Sequence, residues 1–352
     1  MRKTFSLIVC VLLAVVLLAG CAQSAAPAPV TPAAPGGASI APGGAPANSG
    51  ATARWRFGHI VQEDHPWHYT ATYFTERVYE LSEGRFEIQV FPASALGTEI
   101  DVLHGMLLGT AEMNASAGTM EVFAPAAALL DAPWTFRDAD HISQVFAGPI
   151  GERIFGDLEA EGFKKLYYMP RMARNLTSNF EVNHPDDITG INMRVMPSPV
   201  LTAAWRAAGA SPVSMPFAEV FMALSQGVIG MQENPFDMIY TGSLFEVQSH
   251  VNLTEHTVGA KLFLCSTRAF DALAPDLQHI LLQAAADAQI FGYQAYEDSV
   301  TEFTGRIMES GMIINTNVDR DAFRERMLPA MQEFFSDEVW ELFLQIQAYG
   351  LD

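Results

Sequence analysis

The sequence predicts an α/β protein of two domains, each on an open, mostly parallel sheet with helices on both faces. Three observations predict this. From residue 54 onward, strand-like alternation and helical spacing follow one another in a βαβα rhythm. The stretch of globular composition runs to about 300 residues, enough for two separate cores. Late in the chain an apolar pattern continues from Leu277 to Met308 with no proline, long enough to serve two domains as a shared backbone.

Each segment has a local reason. Arg2 and Lys3 precede an apolar run over residues 5–19, broken only by Ser6. That run is short for a bilayer span and has the shape of a signal-peptide core. It ends in LAGC at 18–21, which is similar to a bacterial lipobox, so Cys21 is the expected lipidation site and residues 1–21 the signal. A diacylated cysteine anchors a protein stably without a spanning helix. Residues 22–53 are mostly Ala, Pro, Gly and Ser, cannot bury enough apolar surface to fold, and read as a flexible tether.

Residues 54–59 alternate as an opening strand. Residues 69–82 have helical spacing and stop at Gly84; 85–91 alternate strictly and end at Pro92. A helix over 100–108 and a short strand over 111–116 complete the first rhythm. It resumes with strands at 164–169 and 192–196, helices at 200–208 and 217–224, and a strand at 258–266. Pro275 marks the first turn of the long helix. The alternative is two helices broken near Gly292. No repeat of 20 to 50 residues points to a solenoid.

The charge balance is acidic, with 40 Asp and Glu against 20 Lys and Arg. Loss of Arg2 and Lys3 with the signal takes the net charge from −20 to −22. Such a surface repels nucleic acid and anionic headgroups. An anion site must then be a local positive spot, which makes the few arginines informative. Cys10 and Cys21 fall in the leader, so Cys265 is left alone and reads as an inert buried thiol. His59, His65 and His68 lack the cysteine or carboxylate that would complete a metal set, and no metal or cofactor is expected. No nucleophile elbow, phosphate-cradling loop or dinucleotide fingerprint is present.

Several segments occur in a fixed order: FPASALG at 91–97, DITGINMRV at 187–195, GASPVSMPFAEV at 209–220, QENP at 232–235 and EVQ at 246–248. In these the chain resembles the substrate-binding proteins of TRAP (tripartite ATP-independent periplasmic) transporters over residues 54–335. The resemblance implies a type II-like periplasmic-binding-protein fold with a cleft between its domains. Domain I would hold 54–171 and 260–299, and domain II 172–259 and 300–352. It implies a receptor outside the cytoplasm, not an enzyme, that closes on an organic acid and delivers it to a sodium-driven membrane permease.

The resemblance also assigns roles. Arg194 would make a bidentate salt bridge with the ligand carboxylate, and Arg174, in RNLTSN at 174–179, would be a second arginine of the site. Asn234, in the QENP turn, and Phe217 would complete it. The chemistry suits these types: a planar guanidinium matches a carboxylate with two parallel hydrogen bonds, an amide donates to the same oxygens, and an aromatic face takes the carbon skeleton. Each has a plainer alternative. Arg194 would be a surface strand residue, Arg174 would serve in a structural salt bridge, Asn234 as a turn former and Phe217 as core. Trp67 or His68, in HPWH at 65–68, and Tyr240 are further candidates for the cleft.

Two departures stand out. Gly230-Met231 replaces the usual Asp-Gly before QENP. Ile100 and Ala117 stand where some receptors for polyhydroxylated acids carry charge, which argues against a sialic-acid-like ligand; a small or moderately apolar monocarboxylate or keto acid is expected. A monomer is the default, although WELFLQIQ at 340–347 is amphipathic enough to pair. A ligand sensor for a signalling system would share the same pocket.

Overall fold

The computed structural model describes residues 53–350; Cys21 and nearly all of the tether lie outside them. Strands β1 (Ala53–Gly58), β2 (Phe86–Phe91), β3 (Met113–Ser116) and β4 (Phe163–Pro170) come first. Strands β5 (Arg174–Ser178), β6 (Asn192–Val195), β7 (Ser211–Ser214), β8 (Met231–Asn234) and β9 (His250–Thr257) follow. Strand β10 (Ala260–Ser266) returns to the first group, and β11 (Ile313–Asn315) ends the series. They form two sheets, ordered β2-β1-β3-β10-β4 and β11-β9-β5-β8-β6-β7.

The sheets are mixed rather than mostly parallel. All four antiparallel pairings belong to β5 or β10. These strands follow the two direct crossings between the sheets, through residues 171–173 and 258–259; the third passage, from β10 to β11, runs through helices. A direct crossing has no intervening helix to bring the chain back in the same direction, which is what parallel pairing requires. The crossings lie side by side, with the Arg171 N–H donating to the Gly259 carbonyl at 2.9 Å. Gly259 fits because a Cβ there would stand 2.5 Å from the Leu130 carbonyl oxygen.

Helix α1 (Pro66–Leu81) starts on Pro66, and the His65 ring accepts from the Trp67 N–H. Helix α2 (Glu99–Leu108) has a reciprocal cap, Thr98 and Asp101 bonding each other's backbone N–H, and ends at Gly109 in the left-handed region. Helices α3 (Ala139–Ala147) and α4 (Pro149–Ala160) precede β4, and α5 (Pro199–Ala207) lies between β6 and β7. The expected helix at 217–224 is a 3₁₀ turn, Phe217–Glu219, running into α6 (Val220–Ser225). Helices α7 (Phe236–Thr241) and α8 (Thr267–Asp271) are short. Helix α9 (Pro275–Glu309) is a single unbroken helix of 35 residues, roughly 52 Å long. Gly292 does not break it; a Cβ there would meet the Thr70 methyl at 3.1 Å, so this glycine lets α1 and α9 approach. Helices α10 (Arg320–Phe334) and α11 (Asp337–Ala348) close the chain. The sequence reading grouped 337–352 with the second domain; α11 packs instead against 125–130 and α4, on the side of the first sheet.

Burial on both faces explains the apolar runs. In β10, Leu262 and Leu264 join one apolar cluster, while Phe263 and Cys265 join the one formed with α1 and α9. Burial pushes the Cys265 thiol well above its ordinary pKa. A third cluster, with Val220, Leu224, Ile239, Val251 and Ile307, covers the other side of the second sheet.

Candidate functional site

A cavity of about 230 Å³ lies where the two sheets face each other, the size for a small metabolite. Arg194, Phe217 and Asn234 reach it from the second sheet and its loops, Trp67, Glu99 and Lys261 from the first. Arg171 and Arg174, at either end of the 171–173 crossing, line it as well.

Arg194 sits mid-strand in β6, paired with Val213 of β7 and Gln232 of β8, so its backbone is held on both sides. Only 3 % of the residue is exposed. Its Nε donates to the Met215 carbonyl at 2.9 Å, which fixes the plane of the guanidinium. No carboxylate lies within 4 Å of it among the described residues. Burial pulls its pKa down to about 10, partly offset by Glu233, so it remains a cation at neutral pH. The Phe217 ring lies 6.0 Å from the guanidinium carbon. Gly242 leaves room for that ring, since a Cβ there would stand 2.9 Å from Phe217 Cζ.

Arg174 is committed differently. Its Nε and Nη2 grip both carboxylate oxygens of Glu233, and Nη2 also donates to the Asn234 side-chain oxygen at 2.9 Å. It is the structural salt bridge that the sequence left open, and it lines the cavity too. Burial works to raise the Glu233 pKa, but Arg174 and a hydrogen bond with His256 win and hold it at about 2. The Asn234 amide donates to Gln232 at 2.5 Å, and Gln232 donates to Thr177 at 2.8 Å. Thr177 donates to Gln248 at 3.2 Å. The QENP segment is thus a strand rather than a turn. Its register against β5 (Asn175 to Asn234, Thr177 to Gln232) turns the RNLTSN, QENP and EVQ motifs into one buried polar network. Such a network holds the wall of the cavity in one arrangement.

Trp67 is 1 % exposed and lies between two cations. The Lys261 nitrogen is 4.6 Å and the Arg171 guanidinium carbon 5.3 Å from its ring. Lys261 pairs with Glu99 at 3.0 Å and Arg171 with Asp131 at 2.6 Å. Burial works against the Glu99 charge. Lys261 and bonds from Ser116 and Thr119 outweigh it and hold the carboxyl below its usual range. Ser94 also lines the cavity, from the FPASALG loop. Ala93 and Ser94 both adopt left-handed backbone there, held by N–H bonds to Val61 and His59.

His68 and Tyr240 are not among the residues that line the cavity. His68 bonds His59 at 3.1 Å and Thr72 at 3.3 Å. Tyr240 stacks on Phe245 and takes Arg306 over its face. The sequence reading missed Glu99, Lys261, Arg171 and His256. Lys261 carried a signal, because a lysine inside an otherwise apolar buried strand needs a partner. Nothing local marked the others.

The sequence profile of the bacterial extracellular solute-binding proteins of family 7 (DctP) matches residues 57–338. A solute-binding protein of Roseobacter denitrificans is 36 % identical over 81 % of this chain and 87 % of its own length. A crystal structure of a TRAP periplasmic solute-binding protein from that organism, with bound L-galactonate, superposes with a TM-score of 0.83. It is 34 % identical and covers 85 % of this chain and all of its own. The 2,3-diketo-L-gulonate-binding periplasmic protein YiaO of Escherichia coli is 30 % identical over 81 % of this chain and 87 % of its own length. A TRAP periplasmic solute-binding protein of Sulfurospirillum deleyianum, solved with succinate, has a TM-score of 0.78 at 29 % identity, covering 85 % of this chain and 99 % of its own. This chain belongs to family 7 of the bacterial extracellular solute-binding proteins, the receptors of TRAP transporters.

Proposed function

We propose that this receptor captures a small organic acid by its carboxylate, with Arg194 as the anchoring cation, and presents it to the membrane subunits of a sodium-coupled permease. The observation that carries the reading is Arg194 itself: buried, oriented by Met215, and without a protein carboxylate within reach among the described residues. A buried, unpaired cation is costly, and a ligand carboxylate removes that cost. Each charge-assisted bond contributes about 1.5–3 kcal/mol. Asn234 keeps a second amide N–H for the ligand, and Phe217 supplies an apolar face. The carboxylates bound by the Roseobacter and Sulfurospirillum proteins support the same class.

The two sheet-bearing halves act as domains, 54–171 with 260–299 and the closing helix α11, and 172–259 with 300–336, hinged at the paired crossings and along α9. Ligand favours the closed arrangement because only that arrangement contacts the acid from both walls. Lipid at Cys21 tethers the receptor to the membrane, and it works as a monomer that releases its acid unchanged. Native mass spectrometry of the purified protein identifies the acid, and a thermal-shift screen ranks candidates. A ligand at 100 times its Kd stabilises by about 2.7 kcal/mol. Arg194→Lys, which gives up bidentate geometry but keeps the charge, weakens binding well over tenfold with the fold intact. Equal affinity by calorimetry would refute the anchoring role.

A further inference from the structure

We propose that the first-sheet wall of the cavity is a subsite for hydroxyl and keto oxygens, selecting a polyhydroxylated monocarboxylate and rejecting dicarboxylates and plain fatty acids. The inference rests on the carboxylate reading above, because it concerns the other end of the same ligand.

Two buried donors carry it. Trp67 Nε1 and Arg171 Nε have no hydrogen-bond partner, although both side chains line the cavity and are 1 % and 3 % exposed. The two groups are close, with the guanidinium carbon 5.3 Å from the indole centroid. A buried N–H left without an acceptor is unfavourable, and two together beside a cavity call for oxygen on the ligand.

Charge decides which oxygen. Of the four cations lining the cavity, three are already neutralised: Arg171 by Asp131, Arg174 by Glu233 and Lys261 by Glu99. Arg194 is the one left over among the described residues, and one free cation takes one carboxylate. A second carboxylate near Trp67 would meet no unpaired cation and would face the ionised Glu99. A hydroxyl meets none of this penalty. It accepts from Trp67 or Arg171 and donates to Glu99; the Ser94 hydroxyl on the same cavity works in either direction, and Thr119, whose O–H goes to Glu99, can accept. The expectation of a moderately apolar acid, drawn from Ile100 and Ala117, overlooked that Glu99 and Lys261 bring charge to this wall from neighbouring positions.

The test is calorimetry on the purified receptor with four probes: L-galactonate, D-erythronate, hexanoate and succinate. Hexanoate matches galactonate in carbon number and carries no hydroxyl. At least one hydroxy acid should bind a hundredfold or more tighter than hexanoate and succinate, because a site built for hydrogen bonds rejects ligands that lack them. Trp67→Phe keeps the ring and removes the N–H. It and Glu99→Gln should each shrink the ratio of hydroxy-acid to hexanoate affinity by fivefold or more. Arg194→Lys should weaken all acids alike. Hexanoate or succinate binding as well as the hydroxy acids, no binding of either hydroxy acid, or variants at Trp67 and Glu99 that leave the ratio unchanged would each overturn the subsite. An unchanged affinity in Arg194→Lys would instead overturn the carboxylate anchor, so the two failures are told apart.

Discussion

Glu121 joins the two halves through a bond that depends on pH. It lies in the 3₁₀ turn after β3, and its carboxylate accepts from Ser198 Oγ at 2.7 Å and from the Val200 N–H at 2.9 Å, at the start of α5. Burial pushes its pKa up to about 7, the bonds from Ser198 and Val200 pull it down, and Asp131 adds a push upward. The folded pKa is raised, so the folded protein holds a proton that the unfolded chain has lost. The stabilisation is complete below pH 4.5 and disappears as pH rises through 7. Glu121→Gln stands in for the protonated form: its amide oxygen accepts from the Val200 N–H, and its amide N–H donates to the Ser198 hydroxyl. From the two pKa values the variant gains about 1 kcal/mol over wild type at pH 5 and about 3 kcal/mol at pH 8. Thermal denaturation of both proteins across this range should show their Tm gap widening by roughly 5 °C. Asp237, pushed up to about 6 by burial, and His59, lowered to about 3, titrate in both proteins and cancel in the difference. A gap that stays constant from pH 5 to pH 8 would show that Glu121 does not titrate there and would refute the reasoning.

Other perturbations give separate expectations. Gly259→Ala drives a Cβ to 2.5 Å from the Leu130 carbonyl oxygen at the 258–259 crossing, and should cost about 1–3 kcal/mol in chemical denaturation. Glu233→Gln leaves the buried Arg174 guanidinium without its counter-charge; urea unfolding should show a loss of about 3–5 kcal/mol. Because the Glu233 pKa is held at about 2, its contribution is present above 4.5 and lost toward pH 2, so the variant should show a flatter acid limb. Cys21→Ser should move the receptor from the membrane to the soluble fraction after cell fractionation, with its ligand affinity unchanged.

The parts of this protein that were legible in the sequence are those governed by local rules. The alternation in β2, the glycine stop at Gly109 and the proline-free run of α9 follow from neighbours in the chain. The direction of β5 and β10 was not legible, because periodicity carries no information about which sheet a strand enters. The site divides in the same way. Arg194, Phe217 and Asn234 stand in the segments that carry the family resemblance, which assigns them, and the structure brings all three to one cavity. Lys261 and Glu99 meet across 162 positions of chain, and Arg171 and Asp131 across 40. Their roles exist only once β10 lies between β3 and β4. Tyr240 does not line the cavity in this arrangement; its ring packs on Phe245 and Phe303.

An acidic protein that recognises acids poses an electrostatic question, and the buried charges answer it. With a formal charge of −20, the surface opposes an approaching anion, but at physiological salt that field fades within about 8 Å. Inside the cavity the balance reverses. Three ion pairs cancel internally and leave Arg194 as an uncompensated cation in a medium that screens it poorly. Its depressed pKa shows what burial costs this group, and a bound carboxylate should bring that pKa back up. Selectivity for an anion therefore lies in desolvation rather than in steering. Added salt should alter the association rate more than the dissociation rate, and an uncharged amide or ester of the same acid, unable to compensate the cation, should bind far more weakly than the acid itself.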